Sequence, residues 1–189
     1  SYEVGKHLAN KLDHKNLTHA FVLSDGLNVN GSQLVRGLVE HLPKQVSLTG
    51  GLAGDGYRFQ HTLVFCDNEP TEKQVTLIGF YGSKLKVGYA SFGGWSPFGP
   101  ERLITKAKGN VLYELDGKPV LELYRKYLGE YALGLPATAV LFPLSFRDED
   151  NKGVLRGVLK IDEQNQSVIF GGEITEGSYA RFMKGNLHR

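Results

Sequence analysis

At 189 residues the chain is long enough to bury roughly 70% of its extended surface without covalent staples, and its single cysteine, Cys66, excludes an intramolecular disulfide and a multi-cysteine zinc site. A formal net charge of +2, with the basic residues scattered, is too small to argue for a polyanion, so no nucleic acid is expected as a partner. No apolar run approaches the ~18 residues of a membrane span, and residues 1–15 are amphipathic and mixed in charge, so no membrane partner is expected and the cytoplasm is the expected location.

Val4, Leu8 and Leu12 recur every fourth residue between polar neighbours, which predicts a short amphipathic helix. The apolar run at 19–24 predicts a buried strand, and the turn formers at 25–31 predict a loop after it. Asn30 is placed to cap a helix with Gln33 at its third position. Leu34, Val35, Leu38, Val39 and Leu42 form its apolar stripe, and Pro43 stops it before a second strand at 46–49.

Strand, helix and strand over some thirty residues make a βαβ unit, so the two strands are expected to be parallel. Their carboxyl ends then share an edge, bringing the 25–31 loop beside a glycine-rich loop at 50–56, on the edge where open α/β sheets bind ligands. Glycines at 50, 51, 54 and 56 are costly to order and suit a backbone that a ligand approaches closely, or else a tight turn. Neither phosphate motif fits: no Gly-Lys-Ser/Thr is present, and Phe59 stands where a dinucleotide fingerprint from Gly54 needs glycine. Asp25 and Asp55 read either as hydrogen-bond acceptors over a backbone cradle or as two turn-stabilising carboxylates.

Strands are then expected at 62–66, 74–81, 86–92, 103–108 and 111–115, an antiparallel meander with hairpin turns at Gly82-Ser83 and Gly109-Asn110. The run at 93–100, with two prolines and the only tryptophan, predicts a shaped loop that sets Trp95 against a ligand or against a sheet end. Pro119 opens a helix over 120–128 with Val120, Tyr124, Tyr127 and Leu128 on its apolar face, and Gly129 closes it. Beyond it, a strand at 137–146 is demoted to an edge or a bulge by Pro143. Strands at 154–161, 167–170 and 179–183 follow, with polar turns at 147–153 and 162–166.

Several of these segments carry a resemblance. Residues 49–55 (TGGLAGD), 94–99 (GWSPFG) and 104–119 (ITKAKGNVLYELDGKP) resemble the N-terminal domain of the FIST family, named for F-box and intracellular signal transduction. Residues 144–146, 154–159 and 170–174 resemble the start of its C-terminal companion domain. The resemblance implies a partial N-terminal domain over 1–132, a partial C-terminal domain over 133–189, and a family that extends beyond both. It also implies a sensory module that binds a small ligand such as an amino acid and signals to a protein partner.

The chemistry of an enzyme is not expected. Ser91 and Ser96 each lack one glycine of a nucleophile elbow, and the six histidines show no His-Glu-x-x-His spacing, so neither a metal nor another cofactor is expected. Two rival classes stand beside the sensory reading: a hydrolase using Asp25 and Asp55 as acid and base, and a protein-binding adaptor without a small ligand. The expected fold class is α+β, a βαβ start followed by a mainly antiparallel mixed sheet and a second β-rich portion. The expected ligand-binding set is Asp25, Gly50, Gly51, Asp55, Arg58, Trp95 and Arg102. Loop amides would take a carboxylate, an aspartate an ammonium, and Trp95 the stem, while the two arginines read equally as partners of the aspartates.

Overall fold

The computed structural model of the chain describes residues 1–56, 58–67, 69–90, 93–147 and 153–185, and divides it into two compact units, 1–91 and 92–189. The fold class is α+β.

The first unit runs α1 (Tyr2–Lys11), β1 (Leu17–Asp25), α2 (Gly31–His41), β2 (Ser47–Ala53) and β3 (Val75–Tyr81). Its sheet has the order β2-β1-β3, with β1 and β2 parallel and β3 antiparallel to β1. The βαβ expectation therefore holds. Asn30 caps α2 as expected, its side chain accepting from the Gln33 amide at 3.1 Å.

The apolar stripes need correcting. Val35 and Val39 are 44% and 58% exposed, and Val4 is also exposed; the buried positions are Gly5 and Ala9 on α1 and Leu34, Gly37 and Leu38 on α2. The helices meet backbone to backbone. A Cβ on Gly37 would lie 2.2 Å from the Tyr2 carbonyl oxygen, and one on Gly5 2.4 Å from that of Leu34. Small residues permit this approach, so the valines are not needed at the interface. Under the helices the core holds Ala20, Val22, Leu34, Leu38, Leu42 and Val75. On the opposite face His19 is buried between two hydroxyls, Ser47 Oγ at 2.8 Å from Nδ1 and Thr49 Oγ1 at 3.0 Å from Nε2, which satisfy both ring nitrogens.

Three expectations fail here. Residues 50–53 are the second half of β2 and not a loop, because each pairs with β1 in parallel register. The strand expected at 62–66 is only the single bridge between Val64 and Thr71. No strand covers 86–90, so Gly82 turns the chain at φ +125° without making a hairpin; residues 91–92 lie outside the described residues, as does the elbow candidate Ser91.

The second unit holds β4 (Trp95–Lys108), β5 (Val111–Leu115), β6 (Lys118–Pro119), α3 (Val120–Leu128), β7 (Leu144–Arg147), β8 (Gly153–Arg156), β9 (Val158–Asp162), β10 (Ser167–Phe170) and β11 (Tyr179–Gly185). One sheet runs β8-β7-β11-β4-β5-β10-β9, with β6 on β5. The expected loop at 93–100 is instead mostly the start of β4, whose Trp95, Ser96 and Pro97 pair with Gly185, Lys184 and Met183. A register shift and Gly99 at φ +86° form the irregularity that tolerates the two prolines.

The Gly109 turn between β4 and β5 is as expected, with φ +60°. Residues 137–141 form a 3-10 turn and not a strand, the Ala139 amide donating to the Pro136 carbonyl at 3.0 Å. The strand expected at 154–161 is two strands broken at Gly157. Of the turn expected at 147–153, residues 148–152 lie outside the described residues, and so does His188. Helix α3 buries Val120, Leu121, Leu123, Tyr124 and Leu128 in a core where the Phe182 ring meets Tyr124 edge-on and stacks on Tyr127.

Candidate functional site

Asp25 ends β1 beside Ala53 at the end of β2, so the carboxyl edges of the parallel pair coincide. The following Gly26 lies so close that a Cβ there would be 2.2 Å from the Ala53 carbonyl oxygen. Asp25 is fully buried and its carboxylate accepts five hydrogen bonds. Oδ1 accepts from the Leu27 amide at 2.7 Å, the Asn28 amide at 3.0 Å and the Thr62 hydroxyl. Oδ2 accepts from Asn28 Nδ2 at 2.8 Å and the Lys73 amide at 2.7 Å. One charged side chain thus ties together residues 25–28, Thr62 and Lys73.

Burial alone would push the Asp25 carboxyl upward, but the bonds from Thr62, Lys73 and Asn28 outweigh it and hold the group well below the usual carboxylate range. A depressed folded-state pKa means its stabilisation is complete above the unfolded value of about 3.9 and is lost as pH falls toward the folded value. Denaturant midpoints measured from pH 7 down to strong acid should therefore fall below about pH 4, and Asp25→Asn should flatten that fall. Equal slopes for the two proteins would show that Asp25 does not carry the effect.

Asp55 accepts from the amides of Phe59, Gln60 and His61 at 3.0, 2.8 and 3.1 Å. Those backbone bonds, with Gln60 leading, lower its pKa. Arg58 lies beside it, Nε to Oδ2 4.0 Å, with its side chain 74% exposed. Gly50 sits in β2 where a Cβ would be 1.9 Å from the Val22 carbonyl oxygen, so the close approach that requires glycine is to the neighbouring strand. Gly51 is exposed with open space around it.

Trp95 and Arg102 both lie on β4, in the second unit. Trp95 is 38% exposed. Arg102 donates to Asp116 Oδ2 at 2.8 Å and to the Tyr127 hydroxyl at 2.5 Å, with its guanidinium 5.4 Å from the Tyr127 ring centre. Its acid partner is thus Asp116 and neither of the expected aspartates.

Sequence reasoning missed a cleft of about 620 Å³ in the first unit. Glu3, Val4, His7 and Leu8 of α1 form one wall, and Asn28, Val29, Lys73, Gln74 and Val75 the other. The second wall is set by Asp25, which holds both Asn28 and the Lys73 amide. Lys73 is kept at φ +57°, a strained conformation for a lysine. The available signal was the 3–4 residue spacing of Glu3, Val4, His7 and Leu8, which places them on one helix face.

The FIST N domain model matches residues 1–118 and the FIST C domain model residues 121–189. The chain belongs to the FIST family. FIST domains are sensory domains of signal transduction. The FIST chain is also 28% identical to an uncharacterized protein of Methanocaldococcus jannaschii, over 76% of this chain and 30% of that protein, so it spans under a third of that relative's length. No solved structure matches it. Among the described residues, no helix of the FIST chain is long and apolar enough to cross a membrane.

Proposed function

We propose that this FIST chain is a cytoplasmic sensory module that binds a small ligand, an amino acid or related metabolite, and signals to a protein partner. The observation that carries the reading is the 620 Å³ cleft between α1 and the Asp25-bound loop. Its volume and its mixture of aliphatic and polar lining suit a small molecule. Asp25 enters as the scaffold of the site and not as a contact, because all of its bonds are to the chain itself. The same saturation argues against acid–base chemistry, since the carboxylate is buried without a position to exchange a proton with a substrate.

A thermal-shift screen of amino acids and related metabolites should yield a ligand that raises the melting temperature. Val4→Trp, at a 44% exposed position lining the cleft, fills the space without entering the core and should weaken that ligand about tenfold or more. Unchanged affinity in Val4→Trp would place the ligand elsewhere.

A further inference from the structure

We infer that the free edge of β3 pairs antiparallel with the same edge of a second copy of this chain, Gly79 against Gly79, so that the sheet of the first unit continues into that of its partner. The order β2-β1-β3 leaves β3 at a margin of the sheet. Its pairing with β1 decides which backbone groups face outward. The Asp25 amide donates to the Gln74 carbonyl at 3.0 Å, and the register leads on from there to Leu23–Thr76, Phe21–Ile78 and His19–Phe80, so the even-numbered residues of β3 direct their N–H and C=O groups to β1. Val75, Leu77 and Gly79 therefore turn theirs away, and among the described residues those groups have no partner. Tyr81 follows the same alternation, because the next amide, Gly82, donates back to the Asn16 carbonyl at 2.9 Å.

An open edge is ordinarily protected by charges or prolines, and the β3 sequence VTLIGFY has neither. It also leaves Ile78, Phe80 and Tyr81 44%, 42% and 46% exposed. Strand β2, at the other margin, is a poorer template, with Gly50-Gly51 at its middle and Leu52 as its exposed large apolar residue.

Self-complementarity points to a second copy as the occupant. A two-fold axis at Gly79 sets the outward-facing residues opposite one another, Gly79 on Gly79 and Leu77 on Tyr81 of the second copy, where backbone hydrogen bonds are exchanged. Ile78 then stands opposite Phe80 of the second copy in a non-hydrogen-bonded pair, the closer of the two kinds, and the symmetry repeats this β-branched and aromatic contact. On the same face Ile78 already neighbours Phe21, and Phe80 neighbours His19 with ring centres 5.7 Å apart. Each junction thus completes a row of Phe21 and Ile78 from one copy with Phe80 and His19 from the other. Gly79 suits the axis because the Tyr81 ring of its own strand covers it, Cε2 lying 3.0 Å from where a Cβ would be. Pairing along one strand buries less than about 1,200 Å², so a reversible dimer on the micromolar scale is expected.

Sedimentation velocity of the full chain from about 1 to 300 μM should show a monomer–dimer equilibrium. Ile78→Lys should weaken it about tenfold or more with an unchanged circular-dichroism spectrum, whereas Val39→Lys, at a more exposed apolar position on α2, should not. The register is read by cross-linking in a Cys66→Ser background with oxidised glutathione: Ile78→Cys and Phe80→Cys chains should form a disulfide-linked dimer when mixed, and far less when either is alone. A chain that stays monomeric, a dimer that Ile78→Lys leaves intact, or one that Val39→Lys weakens as much overturns the inference. Ile78→Cys chains that link to each other as readily as to Phe80→Cys overturn the register.

Discussion

Asp25→Ala is expected to destabilise the first unit by about 3–4 kcal/mol, because it strands five donors at once. A buried donor left without its acceptor costs about 1–3 kcal/mol, but the amides of Leu27, Asn28 and Lys73 lie close enough to the surface to recover some water. Thr62, at 2% exposure, has no such recourse. At roughly 4–8 °C per kcal/mol for a unit of this size, the melting temperature should fall by at least about 12 °C. Asp25→Asn keeps an acceptor near Leu27 and Asn28 but turns an amide group toward the Lys73 N–H, so it should lose roughly half as much. The readout is amide hydrogen exchange at β1, which reports this unit alone. Exchange in Asp25→Ala within ~0.5 kcal/mol of the parent would show that the five bonds are not what hold the loops.

Gly37→Ala should cost about 2–3 kcal/mol through overpacking, the reverse of alanine's usual advantage of roughly 1 kcal/mol over glycine in a helix. The added methyl would sit 2.2 Å from the Tyr2 carbonyl and 3.0 Å from the Lys6 amide nitrogen, both backbone atoms that cannot rotate away. Helix α1 would have to lift, and with it the wall of the cleft formed by Glu3, Val4, His7 and Leu8. Stability and ligand affinity should therefore fall together, whereas Gly54→Ala, at a position with open space, should leave both nearly unchanged. A Gly37→Ala protein as stable as the parent would mean that the helices can separate at little cost.

The parallel pairing of β1 with β2 and the Asn30 cap were legible because they depend on neighbours in sequence: an apolar run, a cap three residues from its partner and a proline stop. Gly5, Gly37 and Gly50 were not, since a glycine looks the same whether it admits a ligand, a turn or another stretch of backbone. Segment 93–100 misled for a related reason. Its prolines and glycines have the local chemistry of a loop, and only pairing with β11, some eighty residues later, makes the stretch from Trp95 a strand. Asp25 and Asp55 read from the sequence either as acceptors over a backbone cradle or as turn-stabilising carboxylates; Asp55 accepts from amides of its own loop, whereas the Thr62 and Lys73 donors to Asp25 come from segments that no local pattern points to. The cleft depends on a helix face meeting a loop some seventy residues away, a pairing that periodicity does not encode.

The sheet of the second unit also has a consequence for the order in which the protein is made. Strands β4 and β5 leave the ribosome as a local hairpin, but their other neighbours, β11 and β10, are synthesised only with residues 179–185 and 167–170. For the time taken to add those residues, several seconds at about 5–20 residues per second, one side of β4, and of β5 at Val111 and Leu112, waits unpaired, while residues 1–91 can already close their own core. A strand of fourteen residues in that condition is a template for a neighbouring nascent chain. Pro97, Pro100, Glu101, Arg102, Lys106 and Lys108 within β4 are the residue types that discourage such pairing, so the prolines that disguise this strand in the sequence also protect it while it waits for its partner.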